Sequence, residues 1–97
     1  MPIRLQTLSK NDMKIVYLPR FKKSLNRLPS RLQIKALQIE QIFKTDPEDS
    51  RLENHALKGK LNGLFAISVD YHYRIIYVYR PDGDVAFLDI GTHRIYR

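Results

Sequence analysis

The chain contains no cysteine and no tryptophan among its 97 residues. The missing cysteine excludes disulfides, a thiolate metal site and a cysteine nucleophile, and it favours a reducing compartment. No apolar run approaches the roughly 18 residues needed to span a bilayer, and the N-terminus lacks the apolar core of a signal peptide. The sequence therefore predicts a soluble, cytoplasmic protein with no membrane partner.

Acidic residues are scarce as well, because 17 Lys and Arg stand against 10 Asp and Glu, for a formal net charge of +7. Such a charge attracts a polyanion or an acidic protein without specifying which one. A chain of this length forms one small domain with a single modest core and leaves no room for a separate cofactor domain. We expect a nucleic acid or an acidic protein as partner, and no cofactor.

The first half of the chain predicts one strand and two helices. Residues 1–12 show no clear period before a second methionine, so they are interpreted as an N-terminal extension to a single domain at 13–97. The β-branched and aromatic run 14–18 predicts a strand. Apolar residues at helical spacing predict a basic helix over 19–28 and a second helix over 30–45, which Ser30 would cap.

The second half predicts three strands, over 64–69, 73–80 and 85–90, with turn residues at 81–84 between the last two. No regular structure is predicted between the second helix and residue 64. The predicted fold class is α+β, in which an N-terminal strand and a two-helix antiparallel hairpin pack on a mainly antiparallel four-stranded sheet.

All three histidines, His55, His72 and His93, lie in the last half of the chain, among basic and tyrosine-rich segments. A histidine exchanges a proton near neutral pH, while arginine binds phosphate and tyrosine offers a stacking face. The alternative is structural: a solvated loop residue at position 55, a turn residue at 72 and a tail residue at 93. The placement beside Arg74 and Tyr96 is typical of a site that handles a phosphodiester.

Arg74 stands in an otherwise apolar strand, on the same face as Ile76 and Val78 by simple alternation. It either faces solvent or is held for an anion. The opposite face carries a row of tyrosines, of which Tyr73 and Tyr77 are expected in the core. Metal binding is not predicted, because the histidines lack the short spacing of a ligand pair.

Three segments carry a resemblance to a known family: His55-Ala56-Leu57-Lys58-Gly59, Tyr73-Arg74-Ile75-Ile76-Tyr77 and Gly91-Thr92-His93. From about Met13 to Arg97 the chain resembles the RelE/ParE superfamily of bacterial toxin components. Within that superfamily it is most similar to the RelE/YafQ-type messenger-RNA interferases. The resemblance implies the RelE-like fold for this chain.

The resemblance also implies the toxin of a type II toxin–antitoxin system, a metal-independent endoribonuclease that cleaves mRNA on the ribosome and inhibits translation. In such chemistry the RNA's own 2′-hydroxyl attacks the adjacent phosphorus, so the protein supplies a base, an acid and a cation. The implied partners are a cognate antitoxin, the ribosome and mRNA. The expected catalytic residues are His55, His72, Arg74, His93 and Tyr96. The expected RNA-binding residues are Lys58, Lys60, Arg80, Arg94 and Arg97.

In the family, His55 and His93 correspond to histidines of proton transfer, Arg74 to a phosphate-stabilising arginine and Tyr96 to a substrate-contacting aromatic. Two positions depart from the pattern, because His72 replaces a common Asp and Phe65 replaces a polar residue. These departures leave open a degenerate toxin that only binds its antitoxin. A ParE-like topoisomerase inhibitor is the other alternative, although such chains generally lack the histidines.

Overall fold

The computed structural model describes residues 13–96, so the predicted extension at 1–12 and Arg97 lie outside the described residues. The regular elements are β1 (Ile15–Tyr17), α1 (Pro19–Asn26), α2 (Ser30–Thr45), β2 (His55–Ala56), β3 (Phe65–Ser68), β4 (Arg74–Tyr79) and β5 (Val85–Gly91). Three short 3-10 helices cover Ser50–Leu52, Gly59–Leu61 and His93–Tyr96. Within the described range, no helix is long and apolar enough to cross a membrane.

Within residues 13–96, the strands form one five-stranded sheet in the order β1-β5-β4-β3-β2. Strand β1 runs parallel to β5, and the other neighbours are antiparallel. The predicted α+β class and mainly antiparallel sheet are confirmed, but the sheet has five strands and not four. The additional strand β2 lies in the segment for which no regular structure was predicted, because two residues are too few to show an alternating pattern.

Both helices pack on one face of the sheet. Helix α1 begins at Pro19, where the missing N–H and fixed φ of proline suit a first helical position. The predicted cap of α2 is wrong, because Ser30 is already helical and the capping position, Pro29, has no side chain that can accept a hydrogen bond. The buried stripe of α2 comprises Leu32, Ala36, Ile39 and Phe43.

An aromatic cluster fills the space between the helices and the sheet. The ring of Phe43 meets that of Tyr77 at 4.9 Å, and the ring of Phe21 meets that of Phe87 at 5.3 Å. Tyr77 is fully buried and Tyr73 packs against the same core, as the alternation along β4 predicted.

The opposite face of the sheet carries a second, smaller cluster. Its buried members are Leu57, Ala66 and Ile76, and partly buried residues surround them: Leu61, Leu64, Leu88, Ile95 and Tyr96. Two of these come from the C-terminal 3-10 helix, which therefore folds back over the sheet. This second cluster lies on the face of the sheet that carries the candidate site.

Candidate functional site

Strand register brings His55 and Arg74 to the same face of the sheet, on the side away from the helices. His55 is paired with Ala66, and Ala66 is paired with Ile76, two residues along β4 from Arg74. Directly opposed residues of antiparallel strands share a face. With strands about 4.8 Å apart and a rise of about 3.4 Å per residue, the two Cα atoms are roughly 12 Å apart.

Arg74 is only half-buried, but its Nη1 atom is buried and has no hydrogen-bond partner among the described residues. The hydroxyl of Tyr96 is in the same condition. Buried polar groups are normally paired, because leaving a donor unsatisfied costs about 1–3 kcal/mol. The described residues therefore leave two buried donors on one face of the sheet without an acceptor.

Gly91 allows the C-terminal 3-10 helix to lie against this face. It is the β5 residue paired with Arg74, and a Cβ atom at this position would collide with the γ2 methyl of Ile95. The backbone N–H of Ile95 donates to the Thr92 carbonyl at 3.0 Å, which tightens the turn that follows the strand. A glycine is therefore required at the point where the chain folds back beside Arg74.

The same 3-10 helix presents His93 next to Tyr96. Their rings meet edge to face, with centroids 5.8 Å apart and an interplanar angle of 77°. His93 is exposed, whereas Tyr96 is half-buried through its contact with the second cluster. His93 is therefore not part of a loose tail, because Ile95 and Tyr96 anchor the segment that contains it.

His55 is exposed but does not lie in an irregular loop, since it is the first residue of strand β2. Its Nδ1 atom is 2.8 Å from the carbonyl oxygen of Glu53. A carbonyl only accepts hydrogen bonds, so Nδ1 carries the proton in the neutral ring and Nε2 keeps a free lone pair. That arrangement suits a general base.

His72 lies in the turn between β3 and β4, at the same end of β4 as Arg74. It is exposed, its backbone N–H donates to Asp70, and its ring meets that of Tyr71 edge to face at 4.9 Å. Burial raises the pKa of Asp70, but the backbone N–H groups of Tyr73 and His72 and the charge on Arg31 together hold that pKa below its usual value. The ionised carboxylate thus stabilises the turn that presents His72.

The expected RNA-binding residues do not form one group. Arg94 is exposed within the C-terminal 3-10 helix, close to His93, whereas Arg97 lies outside the described residues. Lys58 and Lys60 follow β2, and Arg80 follows β4. These three residues therefore lie at the end of the sheet opposite to Arg74. Six residues of strand separate Arg80 from Arg74 by about 20 Å.

Phe65 lies on the helix side of the sheet, on the face opposite Arg74. It is paired with Tyr77, and its ring stacks on Tyr77 at 5.5 Å and meets Tyr79 edge to face at 5.1 Å. The departure from the family pattern at this position therefore extends the aromatic cluster. It does not remove a polar group from the face that carries the candidate site.

Sequence reasoning missed Glu53 and Asn54, which immediately precede His55. Glu53 has a left-handed backbone with φ 49°, and Asn54 accepts a hydrogen bond from the Tyr77 hydroxyl at 2.7 Å. Nothing in the local pattern marks either residue, because their roles depend on a strand that comes more than twenty positions later. In the described part of the chain, no cluster of His, Cys, Asp or Glu has the geometry of a metal site.

Comparisons with solved structures found several with a similar architecture. A YoeB/ParE toxin from Agrobacterium tumefaciens matches with a TM-score of 0.71 and 19% identity, over 84% of this chain and 99% of that chain. A chain of the toxin–antitoxin complex RelBE2 from Mycobacterium tuberculosis matches with a TM-score of 0.69 and 18% identity, over 84% and 98%. YafQ from E. coli strain BL21(DE3) matches with a TM-score of 0.65 and 23% identity, over 87% and 97%.

No protein-family model and no curated protein sequence matches the chain. At identities of 18–23%, the solved structures carry their information in the fold. They cover 84–87% of this chain, which is nearly all of the described residues. The chain therefore has the fold of the RelE/ParE toxin superfamily.

Proposed function

We propose that this protein is the toxin of a type II toxin–antitoxin system and that it cleaves mRNA on the ribosome. The observation that carries the proposal is the buried Nη1 atom of Arg74, which has no hydrogen-bond partner in residues 13–96, on the sheet face where the Tyr96 hydroxyl is likewise buried and without a partner in that range. A fold stabilises such groups poorly by itself, because each desolvated donor is left without an acceptor. A phosphodiester would supply the missing acceptors and the negative charge that a guanidinium binds best.

The reaction needs only groups of the RNA and of this chain. The 2′-hydroxyl attacks the adjacent phosphorus and passes its proton to Nε2 of His55, whose lone pair is free. The bond from phosphorus to the 5′-oxygen breaks, and the protonated His93 gives its proton to that oxygen. The products are a 2′,3′-cyclic phosphate and a 5′-hydroxyl. Arg74 stabilises the charge on the phosphoryl oxygens of the transition state.

Tyr96 positions the substrate in this scheme, through its hydroxyl and its ring face. His72 lies at the rim, where an imidazole in place of the usual carboxylate keeps the capacity for proton transfer and inverts the charge. We assign it a contact to the RNA near Arg74. Its exposure and its place in the turn support a supplementary role, since the described structure shows no hydrogen bond from its ring to Arg74, His93 or Tyr96.

An antitoxin is the expected protein partner. The net charge of +7 favours an acidic segment, and among the solved structures with this fold one is described as the toxin–antitoxin complex RelBE2 and another as the DinJ-YafQ complex. Helix α1 is a basic surface that an acidic segment could contact, because it contains Arg20, Lys22 and Lys23 and no acidic residue. The ribosome and mRNA belong to the same proposal.

The test is a brief induction of the chain in cells without an antitoxin, followed by primer extension to map new 5′ ends on abundant messengers. His93→Ala and Arg74→Met serve as inactive variants, and Arg27→Met, at the exposed residue that follows α1, serves as a matched control that keeps the site intact. We expect codon-phased ends with the wild type and the control, and none with the two site variants.

Each other outcome identifies an alternative. Growth arrest with intact messengers, together with inhibition of supercoiling by the purified protein, would replace the proposal by a topoisomerase inhibitor. Neither arrest nor cleavage would identify a degenerate toxin that binds only its antitoxin. Undiminished cleavage by His93→Ala would remove that residue from the mechanism and leave the nuclease itself in place.

A further inference from the structure

A hydrogen-bonded chain connects the buried core to the segment that carries His55. The hydroxyl of Tyr77, which is fully buried, donates to Oδ1 of Asn54 at 2.7 Å. The side-chain amide of Asn54 in turn donates to the carbonyl of Pro47 at 3.0 Å. Asn54 thereby fixes the chain immediately before β2 to both the sheet and the loop after α2.

Glu53 lies between two anchors. Leu52 before it is fully buried in the main core, and Asn54 after it is held by Tyr77. Between them Glu53 adopts φ 49°, a left-handed conformation that a residue with a Cβ atom takes only when its surroundings enforce it. Glycine would adopt this backbone without strain, so the strain is a cost that the two anchors offset.

The conformation of Glu53 directs its carbonyl oxygen at the ring of His55. The distance from this oxygen to Nδ1 is 2.8 Å, so the neutral ring carries its proton on Nδ1 and exposes Nε2. Pairing with Ala66 holds the backbone of His55 at the sheet edge. This hydrogen bond favours one orientation and one tautomer of the ring, although the ring is exposed.

The hydroxyl of Tyr77 is a permanent donor in this chain of contacts. Burial raises the pKa of Tyr77, and the neighbouring hydroxyl of Tyr79 raises it further, while the hydrogen bond to Asn54 lowers it. The phenol therefore stays protonated throughout the range in which an imidazole titrates. Asn54, Tyr77 and His55 also border one small cavity of about 130 Å³ at the sheet edge.

We propose that Tyr77 and Asn54 are positioning residues that hold His55 in its Nδ1–H tautomer through the backbone of Glu53. The catalytic meaning of this arrangement rests on the proposed function, because it makes Nε2 of His55 the base. The tautomer itself does not depend on that function and can be measured in the isolated protein. No residue of the arrangement other than His55 needs to touch the RNA.

The experiment is long-range proton–nitrogen NMR on the full chain labelled with nitrogen-15, at a pH high enough to keep the imidazoles neutral. The spectrum distinguishes a protonated from an unprotonated nitrogen in each of the three histidine rings, and a His55→Gln sample assigns the signal of interest. We expect the Nδ1–H form in the wild type and a mixture of both tautomers in Tyr77→Phe and Asn54→Ala.

The matched control is Tyr17→Phe. Tyr17 also donates its hydroxyl to a part-buried partner, Glu40, but it lies on β1 at the other edge of the sheet. This variant loses a comparable hydrogen bond and should leave the tautomer of His55 unchanged. If Tyr77→Phe unfolds the protein, Asn54→Ala decides the outcome. A wild type with mixed tautomers, or a folded variant that keeps a pure Nδ1–H signal, would overturn the proposal.

Cleavage kinetics add a second readout. Misplacing a catalytic group by about 1 Å costs up to about a hundredfold in rate, so we expect kcat to fall on the order of tenfold or more in Tyr77→Phe, with KM unchanged. Tyr17→Phe should keep the wild-type kcat. If the wild type does not cleave RNA, the proposed function fails while the tautomer measurement still decides the positioning role. If it cleaves and Tyr77→Phe matches it, the positioning role fails alone.

Discussion

Replacing Arg74 by methionine should make the protein more stable and leave it inactive. Methionine keeps an unbranched side chain of similar length over the second cluster and removes the buried Nη1 atom that has no partner in residues 13–96. A buried unsatisfied donor costs about 1–3 kcal/mol, and because Arg74 is only half-buried we expect a gain near the lower end, about 1 kcal/mol. If Arg74 were needed for folding, its replacement would lower the free energy of unfolding instead of raising it.

The assay is urea denaturation of the wild type, Arg74→Met and Arg27→Met, each with and without a short RNA that contains 2′-deoxyriboses and so lacks the attacking hydroxyl. Arg27 is exposed on the helix side, so its replacement should change the free energy of unfolding by less than about 0.5 kcal/mol. RNA at a hundred times its Kd should stabilise the wild type by about 2.7 kcal/mol. Arg74→Met should lose most of that stabilisation.

The salt dependence of binding gives an independent measure of the same contact. Each phosphate contact to single-stranded RNA adds about 0.7 to the slope of log K against log salt concentration, so the slope should fall by about that amount in Arg74→Met. A loss of more than 1 kcal/mol of stability in Arg74→Met would refute the reasoning. So would equal stabilisation of wild type and variant by the RNA.

The remaining predictions concern the C-terminal 3-10 helix and the loop before β2. Gly91→Ala should cost about 1–3 kcal/mol of overpacking against the γ2 methyl of Ile95, seen as faster hydrogen exchange in the last residues and loss of cleavage. The double variant with Ile95→Ala should be destabilised by less than the sum of the two single changes, which a double-mutant cycle would measure. Asp49 has a folded pKa lowered from 3.8 to about 2 by its hydrogen bonds from Arg51, so its contribution is present above the unfolded pKa and is lost as pH falls from about 4 to about 2. Denaturation midpoints against pH should therefore show a shallower acid arm in Asp49→Asn, and an unchanged curve would contradict this account.

Much of the fold followed from local pattern. The 3.6-residue apolar period located α1 and α2, and alternation located β3, β4 and β5 to within two residues of their ends. Strand β2 was not predicted, because its two residues are defined as a strand only by their pairing with β3. The cap predicted at Ser30 was wrong because the chain enters the helical conformation one residue earlier, directly after Pro29.

The sequence by itself determined the fold class, the basic charge and the residue types that favour phosphodiester chemistry, because periodicity and composition are local properties. The tertiary structure decided which of those residues share a face. Register across three strands places His55 and Arg74 on one side of the sheet and Phe65 on the other, and the turn after Gly91 returns Tyr96 to the same side as Arg74. The burial of the Arg74 and Tyr96 donors, which have no hydrogen-bond partner in residues 13–96, depends on contacts between distant segments, which no local pattern records.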